Sequence, residues 1–82
     1  MIKENSAIEI YTSRTCGFCH AAKHLLQTHG YQYTEHDVTL DDKKRNYMME
    51  TSGNRTVPQI FVDGVPIGGY QELRQLLTEE QA

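Results

Sequence analysis

Apolar and polar residues alternate over residues 7–11, where Ile8 and Ile10 are separated by Glu9. A period of two marks a strand with one buried face. Past residue 15 the period lengthens: Cys19, Ala22, Leu25 and Leu26 recur at helical spacing, and Gly30 offers a stop. This predicts a helix over about residues 16–29. Alternation returns in Tyr31-Gln32-Tyr33-Thr34-Glu35 and ends near Val38, which predicts a second strand. A strand–helix–strand unit of this size implies parallel pairing through a right-handed crossover.

Asp41-Asp42 then places acidic residues at the positive end of a second helix. Its apolar face falls on Tyr47 and Met48, with Leu40 close behind, and Ser52-Gly53-Asn54 closes it. Two apolar runs, residues 59–62 and 65–67, flank Asp63-Gly64, a two-residue hairpin signal that needs positive φ. Pro66 cannot donate to a ladder, so its strand is expected at an edge. Gly68-Gly69 introduces a last helix over about residues 70–78, buried through Leu73, Leu76 and Leu77. The polar residues 1–6 are expected to be loose. The predicted order is β-α-β-α-β-β-α in one domain, residues 1–82.

Composition narrows the function classes. At 82 residues and 38% hydrophobic, the chain can bury a modest core, about 60–65% of its unfolded surface. The net charge is −3 and no basic run exceeds Lys43-Lys44-Arg45, which argues against nucleic acid. No apolar run approaches the ~18 residues of a membrane span. Residues 1–6 lack the apolar core of a signal peptide, so a cytoplasmic location is expected. No obvious dimer patch stands out, and a monomer is expected.

The chemistry concentrates in Cys16-Gly17-Phe18-Cys19-His20, which holds both cysteines. Cys16 falls where the first helix begins. Unpaired backbone N–H groups and the dipole there favour a thiolate over a thiol. Cys19, one turn on, can reach back to a disulfide made at Cys16. In a reducing compartment such a pair is catalytic or metal-binding rather than structural. The run also fits the c-type haem pattern C-x-x-C-H. That reading needs a second axial ligand and an exported apoprotein, and the β-hairpin pattern beyond residue 55 argues against it. Structural zinc needs four ligands, and His24 and His29 follow the single cysteine pair too closely. A strand before the pair and a helix beginning at it favour dithiol redox chemistry.

The chain resembles the glutaredoxins, most of all the small bacterial dithiol type, over nearly its whole length. The resemblance is carried by Tyr11-Thr12 ahead of Cys16-Gly17-Phe18-Cys19, by Thr56-Val57-Pro58-Gln59-Ile60-Phe61, and by Gly68-Gly69-Tyr70. It implies an α/β thioredoxin fold, a four-stranded mixed sheet flanked by three helices. It further implies reduction of protein disulfides and glutathione mixed disulfides, with glutathione as co-substrate and no tightly bound cofactor or metal. Ribonucleotide reductase is a possible protein partner on the same ground. By the same resemblance Cys16 is the nucleophile and Cys19 the resolving thiol. Val57-Pro58 is a cis bond that opens the Val57 backbone to an extended substrate. Thr56, Val57, Pro58 and Phe18 then border glutathione, and Gly69, Tyr70 and Gln71 hold its γ-glutamyl end at a helix N-terminus.

Two positions depart from the family pattern. Ser13 stands where a lysine is usual, and Arg14 is the expected substitute for its charge near glutathione. Gly17 replaces a common proline and leaves the helix start less rigid. Arg45 is a further candidate for the glycyl carboxylate. Tyr11 reads as a packing residue, and His20, His24, His29 and His36 as solvated or packing residues. Two other functions stay open at this point. One is a related redox protein reduced by thioredoxin reductase. The other is an iron–sulfur carrier in which Cys16 and glutathione ligate a [2Fe–2S] cluster between two subunits, which the small Gly17 would allow sterically.

Overall fold

Ile8 and Ile10 do form the first strand, β1, Ile8–Thr12. The computed structural model describes residues 5–81; of the polar segment expected to be loose, residues 1–4 lie outside the described residues. The elements follow as α1 (Gly17–Thr28), β2 (Thr34–Asp37), α2 (Asp42–Ser52), β3 (Gln59–Val62), β4 (Val65–Gly68) and α3 (Tyr70–Gln81). The strands lie in the order β2-β1-β3-β4. β1 pairs with β2 in parallel, Ile10 opposite Glu35, and with β3 antiparallel, Ile10 opposite Ile60. β3 and β4 form the antiparallel hairpin, with Pro66 on an edge strand as its missing N–H requires. This is the mixed sheet with three helices that the family resemblance implies.

The two sheet faces carry different loads. On one, Ile8, Ile10, Ile60 and Val62 pack with Ala22 and Leu26 of α1 and Leu73 and Leu77 of α3. On the other, Tyr11, Val38 and Phe61 pack with Met48 of α2. Residues one apart along a strand point to opposite faces, so Ile10 and Tyr11 each find a separate core. Asp63 and Gly64 both take positive φ, 52° and 82°, which makes the tight turn between β3 and β4. Asp63 also anchors the hairpin to β1: its Oδ1 accepts from the Ala7 N–H at 2.8 Å, and its own N–H donates to Ala7 O.

Three expectations need correction. β2 begins at Thr34, not Tyr31. Tyr31 is instead used to close α1: its N–H donates to Leu26 O while Gly30 N–H donates to Gln27 O, the paired bonds of a Schellman stop. Tyr31 and Tyr33 pack on the α1/α3 core from this loop, so their alternation reports burial without a ladder. Next, Leu40 is 81% exposed, whereas Tyr47, half exposed, keeps its ring stacked on Phe61 at 6.2 Å. α2 seats itself through a narrow stripe, fully burying Met48 alone, because Leu40 precedes the Asp41 cap and lies outside the helix. Finally, α3 runs to Gln81, past the predicted end at residue 78.

Candidate active site

The end of β1 delivers the chain to the start of α1, and Cys16 caps that helix. Its backbone is extended (φ −100°, ψ 109°), as an N-cap requires, and its Sγ accepts from the Cys19 N–H at 3.1 Å. A sulfur thus does what a serine or aspartate oxygen does at other helix starts, and unpaired N–H groups face it. Cys16 Sγ also lies 3.6 Å from Val57 O, to which the thiol form donates. Both thiols are free in this structure; Cys16 is half-buried and Cys19 buried, only 1% exposed. Burial pushes the Cys19 thiol up to about 12, with a hydrogen bond to Cys16 adding to the effect. One sulfur is therefore presented to solvent beside a hydrogen-bond donor, and the other is stored beneath it as a thiol.

Beside Cys16 the Val57–Pro58 peptide is cis. The loop carrying it is held by Gln59, which is 3% exposed and whose Nε2 donates to Thr56 O at 2.9 Å. Against this loop lies the start of α3. Gly69 lets the two approach closely: a Cβ at that position would stand a tight 3.2 Å from Pro58 O. Glu72 reaches back to accept from the Gly69 N–H at 2.9 Å, the reciprocal half of a capping box. Between loop and helix runs a groove of about 270 Å³, bordered by Phe18, Thr56, Val57, Pro58, Tyr70 and Gln71 among others. Phe18 is 61% exposed and its ring stands 5.8 Å from that of Tyr70, so two aromatic side chains flank the groove. A larger hollow, near Ser6, Gly30 and Gln32, lies at the far end of α1 from the cysteines.

Of the residues read from the sequence, Phe18, Thr56, Val57, Pro58, Gly69, Tyr70 and Gln71 border one groove, next to Cys16. Arg14 does not join them. Its backbone N–H donates to Thr39 Oγ1, and its guanidinium pairs with Asp37 at 3.5 Å, at the end of β2. Asp37 is held ionised below the ordinary carboxylate range, first by hydrogen bonds from Thr39 and then by Arg14. Arg45 is also engaged elsewhere, donating to Val38 O at 3.3 Å. Tyr11 is a packing residue, stacked on His36 at 4.7 Å and tilted on Phe61 at 5.1 Å.

Three groove residues were not anticipated from the sequence: Asn54, Gln59 and Glu72. A signal existed for two of them. Gln59 is a polar side chain opening an otherwise apolar strand, and Glu72 stands three residues after Gly69 at capping-box spacing. Among the described residues no group of three His, Cys, Asp or Glu side chains is placed to hold a metal ion, and no helix is long and apolar enough to cross a membrane.

Comparison with known proteins agrees with this geometry. The glutaredoxin family model matches residues 8–67. Glutaredoxin 3 of Escherichia coli is 45% identical over 69 residues, covering 84% of this chain and 83% of that protein. A probable glutaredoxin of Synechocystis is 46% identical over 75 residues, covering 90% of this chain and 69% of that protein. Among solved structures, the glutaredoxin of Brucella melitensis superposes with a TM-score of 0.80 at 34% identity, covering 99% of this chain and 88% of its own. A buckwheat glutaredoxin–glutathione complex shares the fold with a TM-score of 0.82 at 22% identity, over 95% of this chain and 74% of that one.

Proposed function

This chain belongs to the glutaredoxin family of thiol–disulfide oxidoreductases, and we propose that its reductant is glutathione and its substrates are glutathionylated and disulfide-bonded proteins of the cytoplasm. The observation that carries the reading is the groove between the Thr56–Pro58 loop and α3, whose Val57 carbonyl lies 3.6 Å from Cys16 Sγ. Its size suits a tripeptide. Its wall at Val57 offers backbone to an extended peptide, as an added strand would use it. The helix start offers the N–H groups of Tyr70 and Gln71 to a carboxylate, the Gly69 N–H being taken by Glu72. The relative from buckwheat was solved with glutathione, which supports the same ligand here.

The reaction starts with Cys16 thiolate attacking the glutathione sulfur of a mixed disulfide. The protein substrate leaves as a thiol and glutathione stays on Cys16. A second glutathione, or Cys19, then attacks that disulfide. On a protein disulfide the same first step leaves the substrate attached to Cys16, and Cys19 resolves it to a Cys16–Cys19 disulfide. Glutathione then restores the dithiol. Phe18 and Tyr70 flank the groove with two aromatic rings.

The test is turnover of a glutathionylated peptide, coupled to glutathione reductase and NADPH. NADPH oxidation dependent on glutathione and abolished in Cys16→Ser is the expected result. Activity that persists with thioredoxin reductase alone and ignores glutathione would overturn the assignment.

A further inference from the structure

Cys19 must become a thiolate to resolve a mixed disulfide, yet it is sealed inside the molecule at 1% exposure. The residues around it include one cation. Lys23 follows Cys19 by four positions in α1, so the two side chains lie on the same helix face. Lys23 is not free to swing into solvent. Its side chain is 20% exposed, and its Nζ binds Glu35 Oε2 at 3.0 Å. Glu35 is on β2, opposite Ile10, and so on the α1 side of the sheet. The same Oε2 accepts from Thr12 Oγ1 at 2.7 Å, and Thr12, 2% exposed, is the last residue of β1 before the active-site loop. A buried hydroxyl, a carboxylate and an ammonium thus form one chain on the α1 side of the sheet, and the lysine that ends it follows the resolving cysteine by one helical turn.

We propose that the Lys23 ammonium, held in place by Glu35 and Thr12, is a positioning residue that makes the Cys19 thiolate available for the resolving step. The inference rests on the dithiol role given to Cys19 above. In that step Cys19 loses its proton, its sulfur bonds to Cys16 Sγ, and the bond from Cys16 to the substrate sulfur breaks. The electron pair leaves with the substrate sulfur, which takes up a proton, directly from Cys19 or through solvent. The substrate is reduced and the cysteine pair oxidised, with no further reactant. Lys23 neither gives nor takes a proton. It lowers the cost of negative charge on a sulfur that has no water around it.

The charged and titratable groups acting on each member are few. Cys16 and Lys23 act on Cys19, with a backbone hydrogen bond at Ser13. Glu35, Tyr33 and Cys19 act on Lys23. Glu35 keeps Lys23 fully protonated, raising it above its ordinary value, so the cation persists wherever Cys19 titrates.

The aromatic disulfide DTNB tests this. The first thionitrobenzoate anion is released when Cys16 attacks the reagent. The second is released when Cys19 displaces the group left on Cys16, and this phase is unimolecular and independent of reagent concentration. Lys23→Gln is expected to slow the second phase about three- to tenfold at neutral pH, because fewer Cys19 sulfurs are then thiolates. It should also move the pH at which that phase is half-maximal upward. Lys23→Arg should restore both, and Glu35→Gln, which keeps the cation but loosens its anchor, should slow the second phase less than Lys23→Gln does. Equal slowing in Lys23→Gln and Glu35→Gln with an unmoved pH profile would show a merely structural bridge and overturn the proposal. A wild-type protein that shows no second phase would instead overturn the dithiol reading itself.

Discussion

Two thiols three residues apart meet different surroundings, and the difference is set by one turn of helix. Cys16 caps α1 and faces the groove, whereas Cys19 points at the sheet and is buried. Burial and the Cys16 hydrogen bond hold Cys19 as a thiol, pushed up to about 12. Iodoacetamide at neutral pH should therefore add once, at Cys16, and intact mass with peptide mapping checks it. Two rapid additions, or a first addition at Cys19, would contradict the division. Gly17 makes a second test at this scale. It occupies the first helical position, and a Cβ there would meet nothing within 4 Å. Proline suits that position and restricts the unfolded chain. Gly17→Pro should raise unfolding free energy by about 0.4–1 kcal/mol, read by urea denaturation. The cysteine spacing was plain in the sequence because chemistry and helix position coincide in one short run. Arg14 was placed near the groove from the sequence and lies on Asp37 instead. Periodicity reports which face a residue takes within an element, and Arg14 sits between elements with a long side chain.

At the scale of elements, the helices are held to the sheet unequally. α1 and α3 share one face with a large apolar cluster, while α2 covers the other with Met48 as its one fully buried side chain. Met48→Ala should thus cost about 2–5 kcal/mol, the range for a core methionine, and should first loosen α2. Hydrogen exchange resolved by residue checks this: protection should fall in α2 while β1 and β3 keep theirs. Asp41 starts the same helix, its Oδ1 accepting from Lys44 N–H at 3.1 Å. Asp41→Ala should cost about 0.5–2 kcal/mol more than an exposed polar change. The sequence announced this helix through its acidic start and glycine stop rather than through an apolar stripe. That is also why Leu40 was misread as lying behind its packing face. The hairpin was legible for a sharper reason, since only a turn with both residues at positive φ fits Asp63-Gly64 between two apolar runs. The Tyr31–Tyr33 alternation misled because a buried loop and a buried strand share the same period over three residues.

For the whole molecule, the Thr12–Glu35–Lys23 chain links β1, β2 and α1 and has a pH signature. The Thr12 hydroxyl, followed by Lys23, holds Glu35 below its ordinary value of 4.5, against the opposing effect of burial. A lowered carboxylate contributes stability that is fully present above the unfolded value and is lost as pH falls through the folded one. The wild-type protein should therefore lose stability faster than Glu35→Gln as pH drops below 4.5. Thermal melts of both proteins across that range are the measurement, and parallel curves would contradict the account. The fold and the groove owe their legibility to contiguous runs: residues 16–19, 56–58 and 69–71 each carry their own local geometry. What the sequence did not disclose are contacts across it, such as Lys23 on Glu35 and Arg14 on Asp37, which exist only once the sheet order brings the partners together.

The central claim is that Cys16 alone suffices for exchange with glutathione, while the reduction of protein disulfides needs Cys19 as well. Cys19→Ser separates the two most directly, measured in parallel on a glutathionylated peptide and on a protein disulfide that requires the dithiol route. The account predicts that Cys19→Ser keeps deglutathionylation, loses most protein-disulfide reduction, and accumulates one glutathione per chain when given glutathione disulfide. Equal loss of both activities, with no glutathione adduct at Cys16, would contradict it.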